Sequence, residues 1–223
     1  NKSTTVKKFD LALQDYDQVV QRGPGKYYAR AAESAAYLAY EKTNDHNQAL
    51  EYARKWEEAA PSEKSRFDAQ ALIMRTAYET GNLVLVNEYT GKIINSDLSS
   101  NDQRAAAYFY KGKTAYNKDE FTQAYPAFEQ VTKLTASEIM AESWHLMATI
   151  RYKQRNMNQA EDLINSATQP SAGYDDWIAR NFILLSDIYA DRGDRNSATA
   201  ALEAVLENYK GGDAEILAIA RSK

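Results

Sequence analysis

The clearest chemical motif in the sequence is the run Gly112-Lys113-Thr114, which matches the end of a phosphate-binding loop. Such a loop places backbone N–H groups around phosphate oxygens, and its lysine neutralises their charge. The motif also needs a glycine five residues before the Gly-Lys pair, where this chain has Ala107. A second run, Thr90-Gly91-Lys92, fails in the same way because Val86 stands in the required place. The sequence therefore predicts no nucleotide site.

The two histidines, His46 and His145, are isolated from other residues that could bind a metal or assist catalysis. No His-x-x-x-His pair or glutamate-rich cluster surrounds them, and the chain contains no cysteine. Zinc binding and general-base catalysis both need several such side chains at matched spacing. No Ser/His/Asp order stands out in the sequence either. We therefore expect no enzyme activity, no metal and no cofactor.

The composition is that of an ordinary globular chain rich in helix. The 223 residues are 44% hydrophobic and 26% charged, with a mean hydropathy of −0.63 and only four prolines. No apolar run reaches the roughly 18 residues that a membrane-spanning helix requires. The net charge of −4 has mixed signs, whereas nucleic-acid binding requires a concentrated basic face. These features exclude a membrane span and argue against a nucleic-acid partner.

One apolar pattern recurs along the whole chain. A small residue, usually alanine, is followed four and seven residues later by other side chains that are mostly apolar. The six occurrences begin at Ala12, Ala49, Val86, Ala124, Ala160 and Ala198, at intervals of 36 to 38 residues. Such near-constant spacing indicates a repeat array. Within each interval, apolar residues at helical spacing predict two amphipathic helices joined by a short turn.

Helix breakers separate these pairs at the same period and give the predicted organisation. We expect one domain over residues 1–223. It comprises a leading second helix at 1–22, helix pairs at 27–60, 63–96, 101–135, 137–169 and 174–210, and a terminal helix at 213–223. Because the leading helix has no first helix before it, we also expect the intact protein to contain further residues on the N-terminal side of Asn1.

One repeat shows the pattern most completely, with Trp144, Met147, Ala148, Ala160, Ile164 and Ala167. These types and spacings resemble the tetratricopeptide repeat (TPR), a helix–turn–helix unit of about 34 residues. The resemblance implies an all-α fold, a right-handed α–α superhelix of five full repeats, a leading half repeat and a terminal helix. Stacking of the pairs is obligatory because one pair alone cannot bury its apolar stripe.

Three residues depart from the TPR pattern. Position 8 of the repeat lies where the two helices cross closely and is normally small, yet it is Tyr37 in the first full repeat and Met74 in the second. We expect these two pairs to be splayed or to be counted out of register. Pro126 lies inside a predicted second helix and should bend it.

The resemblance also implies a concave groove, lined by positions 2, 5, 9, 12 and 13 of the first helices. Position 12 is a tyrosine in three successive repeats: Tyr78, Tyr116 and Tyr152. Tyrosine suits recognition because it buries a large area and offers a hydroxyl, but the same rings could instead pack between first helices. The surrounding groove positions hold Arg75, Lys113, His145 and Lys153. The central groove should therefore be aromatic and moderately positive, with Asp187 and Asp191 making its far end acidic.

We interpret the chain as a non-catalytic scaffold that binds a protein or peptide segment in this groove. Two alternatives stay open. The composition resembles TPR proteins of Gram-negative bacterial envelopes, which would make the protein an envelope assembly or lipoprotein-type subunit in the periplasm or cell envelope. The tyrosines could also bind a glycan or small ligand, which would require a closed pocket of stacked rings with few counter-charges. The sequence does not predict an oligomeric state.

Overall fold

The computed structural model describes the backbone of residues 2–223 and the side chains of residues 8–223. All regular secondary structure in this range is helical. The helices group into two compact units, Asn1–Lys111 and Gly112–Lys223, and each unit has its own packed interior. Within the described range, no helix is both long and apolar enough to cross a lipid bilayer.

Unit 1 is built from five complete helices and most of a sixth. These are α1 (Lys2–Gln21), α2 (Tyr28–Leu38), α3 (His46–Ala59), α4 (Glu63–Glu79), α5 (Leu83–Ile94) and the greater part of α6 (Asn101–Tyr116). A π-helical turn, Ala39–Thr43, continues α2 without a break. Each of the helices α1 to α4 packs on the helix that follows it, and Trp56, Ile73, Met74 and Ile93 are almost fully buried between the helices.

Unit 2 contains the end of α6 and six further helices. These are α7 (Phe121–Leu134), α8 (Glu138–Lys153), α9 (Met157–Ala167), α10 (Asp175–Asp191), α11 (Arg195–Asn208) and α12 (Ala214–Ser222). The first helix α8 packs against its second helix α9 and also against the next first helix, α10. Side chains on α8 and α10 therefore meet across neighbouring repeats.

Each turn inside a helix pair uses one residue with a left-handed backbone. These residues are Asn44, Gly81, Asp119, Arg155 and Gly193, with φ between 56° and 81°. Glycine, asparagine and aspartate adopt this conformation most readily, which explains four of the five. In three repeats the next residue, Asp or Asn, caps the second helix by accepting a hydrogen bond from a backbone N–H. The turn geometry thus fixes where each second helix begins.

Small residues stand where the helices of a pair cross. Ala148 and Ala160 are both fully buried at one crossing. At another, Gly112 lies so close to Phe128 that a Cβ atom there would be 2.7 Å from the ring carbon Cε1. Helix α6 therefore needs a glycine at position 112 in order to pack against Phe128 of the next helix. Because Gly112, Lys113 and Thr114 all lie within α6, they do not form a phosphate-binding loop.

The first full repeat was counted out of register, and the π-helical turn is the cause. Ala36 is fully buried, whereas Tyr37 is 37% exposed. The π turn inserts one extra residue between this part of α2 and the following second helix. Counting back from Ala49 therefore reaches the crossing one residue late, and Ala36 rather than Tyr37 holds position 8. Tyr37 corresponds to position 9 and shares the face of Arg75.

The other two departures have different outcomes. Met74, at position 8 of the second full repeat, is 1% exposed, and its counterpart Val86 is fully buried. That crossing therefore accommodates a larger side chain. Helix α7 continues unbroken from Phe121 to Leu134 through Pro126. The proline does not end the helix, and the bend stays a prediction.

Candidate functional site

The candidate site is the surface formed by repeat positions 2, 5, 9, 12 and 13 of the first helices, called here the first-helix face. Five of the predicted site residues lie in unit 2: Lys113, Tyr116, His145, Tyr152 and Lys153. The other two, Arg75 and Tyr78, lie in unit 1.

In unit 2, the predicted cation Lys113 is held by a carboxylate of the next first helix. Its Nζ lies 2.6 Å from Glu142 Oε1, and the two side chains are 24% and 17% exposed. A partly buried pair of this kind is screened less by salt than a pair on the open surface. Lys113 therefore contributes a positioned hydrogen-bond donor rather than a net positive charge.

His145 sits between α8 and α10. Its Nδ1 lies 2.9 Å from Asn181 Oδ1, and its ring is 5.7 Å from the ring of Trp177. Burial lowers the pKa of His145, the Asn181 contact opposes this, and Arg180 and Lys113 lower the pKa further. A neutral imidazole that donates from Nδ1 to Asn181 fits this arrangement.

Tyr116 is packed beneath a lysine. The Nζ of Lys153, from the next first helix, lies 4.9 Å from the centre of the Tyr116 ring, a cation–π contact. The same Nζ is 3.5 Å from Asp119 in the turn before α7. Tyr116 also contacts Phe128 with the two rings edge to face. This tyrosine therefore joins the packed interior to the surface.

Tyr152 forms a further contact between neighbouring first helices. Its hydroxyl donates to Asp191 Oδ2 at 3.0 Å, and Arg155 donates to the same oxygen at 2.9 Å. Burial and the adjacent Asp191 carboxylate raise the pKa of Tyr152. The hydroxyl is thus a neutral donor at physiological pH. Both Asp191 and Tyr152 keep part of their surface open to solvent.

In unit 1, Tyr78 and Arg75 belong to an aromatic cluster larger than the sequence indicated. The ring of Tyr78 stacks on Tyr110 with centroids 4.5 Å apart. Burial raises the pKa of Tyr110 to about 12, whereas the nearby Arg75 acts to lower it. Burial also raises the pKa of Tyr37 and of Tyr40, and Arg75 again opposes the increase. One exposed guanidinium therefore lies among several phenol groups.

Sequence reasoning missed three tyrosines of this cluster. Tyr37 was placed at the helix crossing because the π turn was not foreseen, although the preceding Ala36 offered a small residue for that position. Tyr40 lies in the π turn itself. Tyr110 stands at repeat position 6, which is not one of the five face positions. Its stack on Tyr78 is visible only in three dimensions.

Comparison with known proteins identifies the fold. No family model matches this chain, and no curated protein matches it by sequence. Among solved structures, it is similar to YrrB, described as a TPR protein with an unusual peptide-binding site. That similarity has a TM-score of 0.61 and 14% identity, over 93% of this chain and 98% of YrrB. It is also similar to BtubC (BKLC) from P. vanneervenii, with a TM-score of 0.65 and 15% identity, over 96% of this chain and 95% of that one.

These similarities confirm the predicted fold class, an all-α TPR solenoid of helix pairs. At 14–15% identity they show the fold alone. The described residues include no group of three or more histidine, aspartate and glutamate side chains that could hold a metal ion.

Proposed function

We propose that this chain is a non-catalytic scaffold that binds a segment of a partner protein along the first-helix face, principally in unit 2. The observation that carries the proposal is the set of three contacts between successive first helices: Lys113 with Glu142, His145 with Asn181, and Tyr152 with Asp191. They hold aromatic and polar side chains in place before any partner arrives. Fixed side chains lose less conformational entropy on binding, which favours affinity.

The chemistry of the face suits a peptide better than a glycan or small ligand. Tyr116 is covered by Lys153, and Tyr152 is bonded to Asp191, so charged groups accompany both rings. A glycan site would instead need stacked rings with few counter-charges. YrrB, which has a similar fold, is described as having a peptide-binding site, and this supports the same class of partner here.

In this proposal Tyr116 and Tyr152 are the anchors of unit 2. Lys113, His145 and Lys153 select the partner through hydrogen bonds rather than through net charge. The reason is that a carboxylate of this protein already lies beside each of the two lysines. Arg75 and Tyr78 serve the corresponding role within unit 1. The face therefore favours partner segments that combine apolar or aromatic side chains with polar groups, rather than strongly charged ones.

A role in bacterial envelope assembly is a narrower form of the same hypothesis. It rests on composition alone. A signal peptide in the full-length gene would support it, and a cytoplasmic start would remove it.

The test is affinity capture from a lysate of the source cells, with retained proteins identified by mass spectrometry. The unaltered chain is compared with a Tyr116→Ala/Tyr152→Ala variant. Tyr125→Ala serves as the matched control, because Tyr125 lies on the second helix α7 and also contacts a cation, Arg151. We expect one partner to be retained by the unaltered chain and the control and lost by the double variant, with each anchor worth about 1–2 kcal/mol.

Equal capture by all three proteins would contradict the proposal and assign the tyrosines to packing. Circular dichroism must first show that the double variant is folded. A variant that loses stability and binding in proportion would likewise indicate a packing role. The same comparison with Tyr78→Ala tests unit 1.

A further inference from the structure

One apolar face of α1, in unit 1, is open to solvent. It is formed by four residues at intervals of three, four and three positions, called here the α1 stripe: Phe9, Ala12, Tyr16 and Val19. Tyr16 is 36% exposed, and the other three side chains are partly exposed. A groove of about 590 Å³ runs beside the stripe between α1 and α2, with Tyr37 in its opposite wall.

The corresponding stripe is buried in the four second helices that follow. In α3, α5, α7 and α9, the counterparts of the last three stripe residues are at most 3% exposed. The first helix of the same pair covers them. In α7, Phe128 contacts Tyr116 of α6, and in α9, Ala160 packs in one cluster with Ala148 of α8. The α1 stripe therefore has the form of a surface that receives an antiparallel helix, and here the groove beside it stays open.

The α1 stripe also has the features needed to cover a second copy of itself. Its spacing is that of the seam of a two-stranded coiled coil, in which two helices bury matching stripes against each other. At its centre is Ala12, and small residues allow close approach, as Ala148 and Ala160 do where α8 crosses α9. The rings of Phe9 and Tyr16 on either side of Ala12 supply apolar area.

The charges beside the stripe favour an antiparallel second copy. Lys8 and Asp15 each precede an aromatic residue of the stripe, on the flank away from the buried Leu13. Both are exposed, and neither forms an ion pair with a residue whose side chain is described. If two α1 helices cross at Ala12 in antiparallel orientation, Lys8 of each copy comes close to Asp15 of the other. Opposite charges at such flanking positions determine partner choice and orientation in coiled coils.

We propose that α1 of a second copy occupies the groove beside the α1 stripe, so that the chain forms a symmetric dimer. Each α1 takes the place that a first helix takes in the other repeats, and the two stripes cover each other. The interface is isologous: Ala12 faces Ala12 of the other copy, and two ion pairs form between Lys8 and Asp15. The dimer does not rest on the function proposed above, whose principal residues lie in unit 2.

Sedimentation equilibrium over roughly 1–300 µM protein tests for the dimer. The mass should rise from 25.1 kDa toward twice that value as the concentration increases. Ala12→Glu buries a charge at the crossing and should weaken self-association at least about tenfold. Gln18→Glu adds the same charge on the exposed side of α1 and is the matched control, with an expected change below about twofold.

An exchange of charges tests the antiparallel orientation. Lys8→Asp and Asp15→Lys should each weaken self-association at least about threefold, because each places like charges opposite one another. An equimolar mixture of the two variants should associate more tightly than either variant alone, since both ion pairs form in the mixed dimer. A mixture no tighter than the separate variants would contradict the proposed pairing of Lys8 with Asp15.

The chain contains no cysteine, so a single introduced thiol reports on the crossing. Under mild oxidation Ala12→Cys should give a disulfide-linked dimer, whereas Gln18→Cys should not. A mass of 25.1 kDa at every concentration would overturn the proposal and leave the groove to a helix of a different protein. A dimer that Ala12→Glu does not weaken, or that Ala12→Cys does not cross-link, would assign self-association to another surface. If Ala12→Glu lowers the melting temperature, Tyr16→Glu at the more exposed stripe residue repeats the test.

Discussion

Tyr152 and Asp191 join the first helices of two neighbouring repeats through a hydrogen bond of 3.0 Å from the tyrosine hydroxyl to Oδ2. Arg155 donates to the same oxygen at 2.9 Å. Tyr152 therefore stabilises the stack of helices in the free protein, in addition to the recognition role proposed for it. The hydroxyl and the ring can be removed in separate steps, which distinguishes the two roles.

Replacing Tyr152 by phenylalanine should cost only about 0.5–1 kcal/mol of unfolding free energy, because the lost hydrogen bond is partly exposed. Partner affinity should stay nearly unchanged if the ring is the anchor. Tyr152→Ala should lower affinity by about 1–2 kcal/mol. Urea denaturation measures the first quantity and titration with the captured partner the second. Equal affinity losses in the two variants would transfer the recognition role from the ring to the hydroxyl.

Two glycines within helices should respond in opposite directions to the same substitution. Gly112→Ala places a methyl group against Phe128 and should destabilise the protein by about 1–3 kcal/mol. Gly91→Ala meets no atom within 4 Å and should stabilise α5 by up to about 1 kcal/mol. Thermal and urea unfolding of both variants provide the measurement. Phe128→Leu should rescue part of the Gly112→Ala loss, and no rescue would show that the close contact is not the cause.

The fold was predictable because close helix crossings require small residues, and the positions of small residues can be read from the sequence. Ala148 and Ala160 are fully buried at a crossing, and only small residues allow two helices to approach so closely. The recurrence of such residues at a constant interval therefore revealed the helix pairs. The interval was measured between second helices, however, so one extra residue inside a first helix did not disturb it. The π turn at Ala39–Thr43 was missed for this reason.

The electrostatics of the candidate site were less predictable than its residues. Lys113 and Lys153 were correctly recognised as cations, and a moderately positive face was expected. Glu142 and Asp119 place carboxylates beside them, at 2.6 Å and 3.5 Å. Both pairings join residues about 30 positions apart in sequence, and they depend on the register between neighbouring repeats. The amino-acid composition does not determine that register.

With Ala36 at position 8 of the first full repeat, substitutions at the adjacent residues Ala36 and Tyr37 should differ in their effect on stability. Ala36→Leu should destabilise the protein by about 1–3 kcal/mol, because the fully buried crossing has no room for the larger side chain. Tyr37→Leu should cost less, since Tyr37 is 37% exposed and loses mainly its ring contact with Trp56. Urea unfolding of both variants compares them directly. A larger loss of stability for Tyr37→Leu than for Ala36→Leu would show that Tyr37, and not Ala36, lies at the helix crossing.

His145 should make stability depend on pH. Burial lowers its pKa from the ordinary 6.5, with Arg180 and Lys113 acting in the same direction and Asn181 opposing them. The neutral imidazole is therefore favoured in the folded protein. Its stabilising contribution is complete above pH 6.5 and is lost as the pH falls through that value toward the lowered pKa. Carboxylates contribute little to the change between pH 7.5 and 5.5.

The unfolding free energy of the unaltered protein should accordingly fall between pH 7.5 and 5.5 by up to about 1 kcal/mol more than that of a His145→Gln variant. Glutamine keeps a donor for Asn181 but does not titrate. His46→Gln is the control, because it removes the other histidine and leaves the His145 contacts intact. Urea unfolding at the two pH values gives the four free energies needed for each comparison. If the unaltered protein and His145→Gln change equally, the imidazole is not held in its neutral form between α8 and α10.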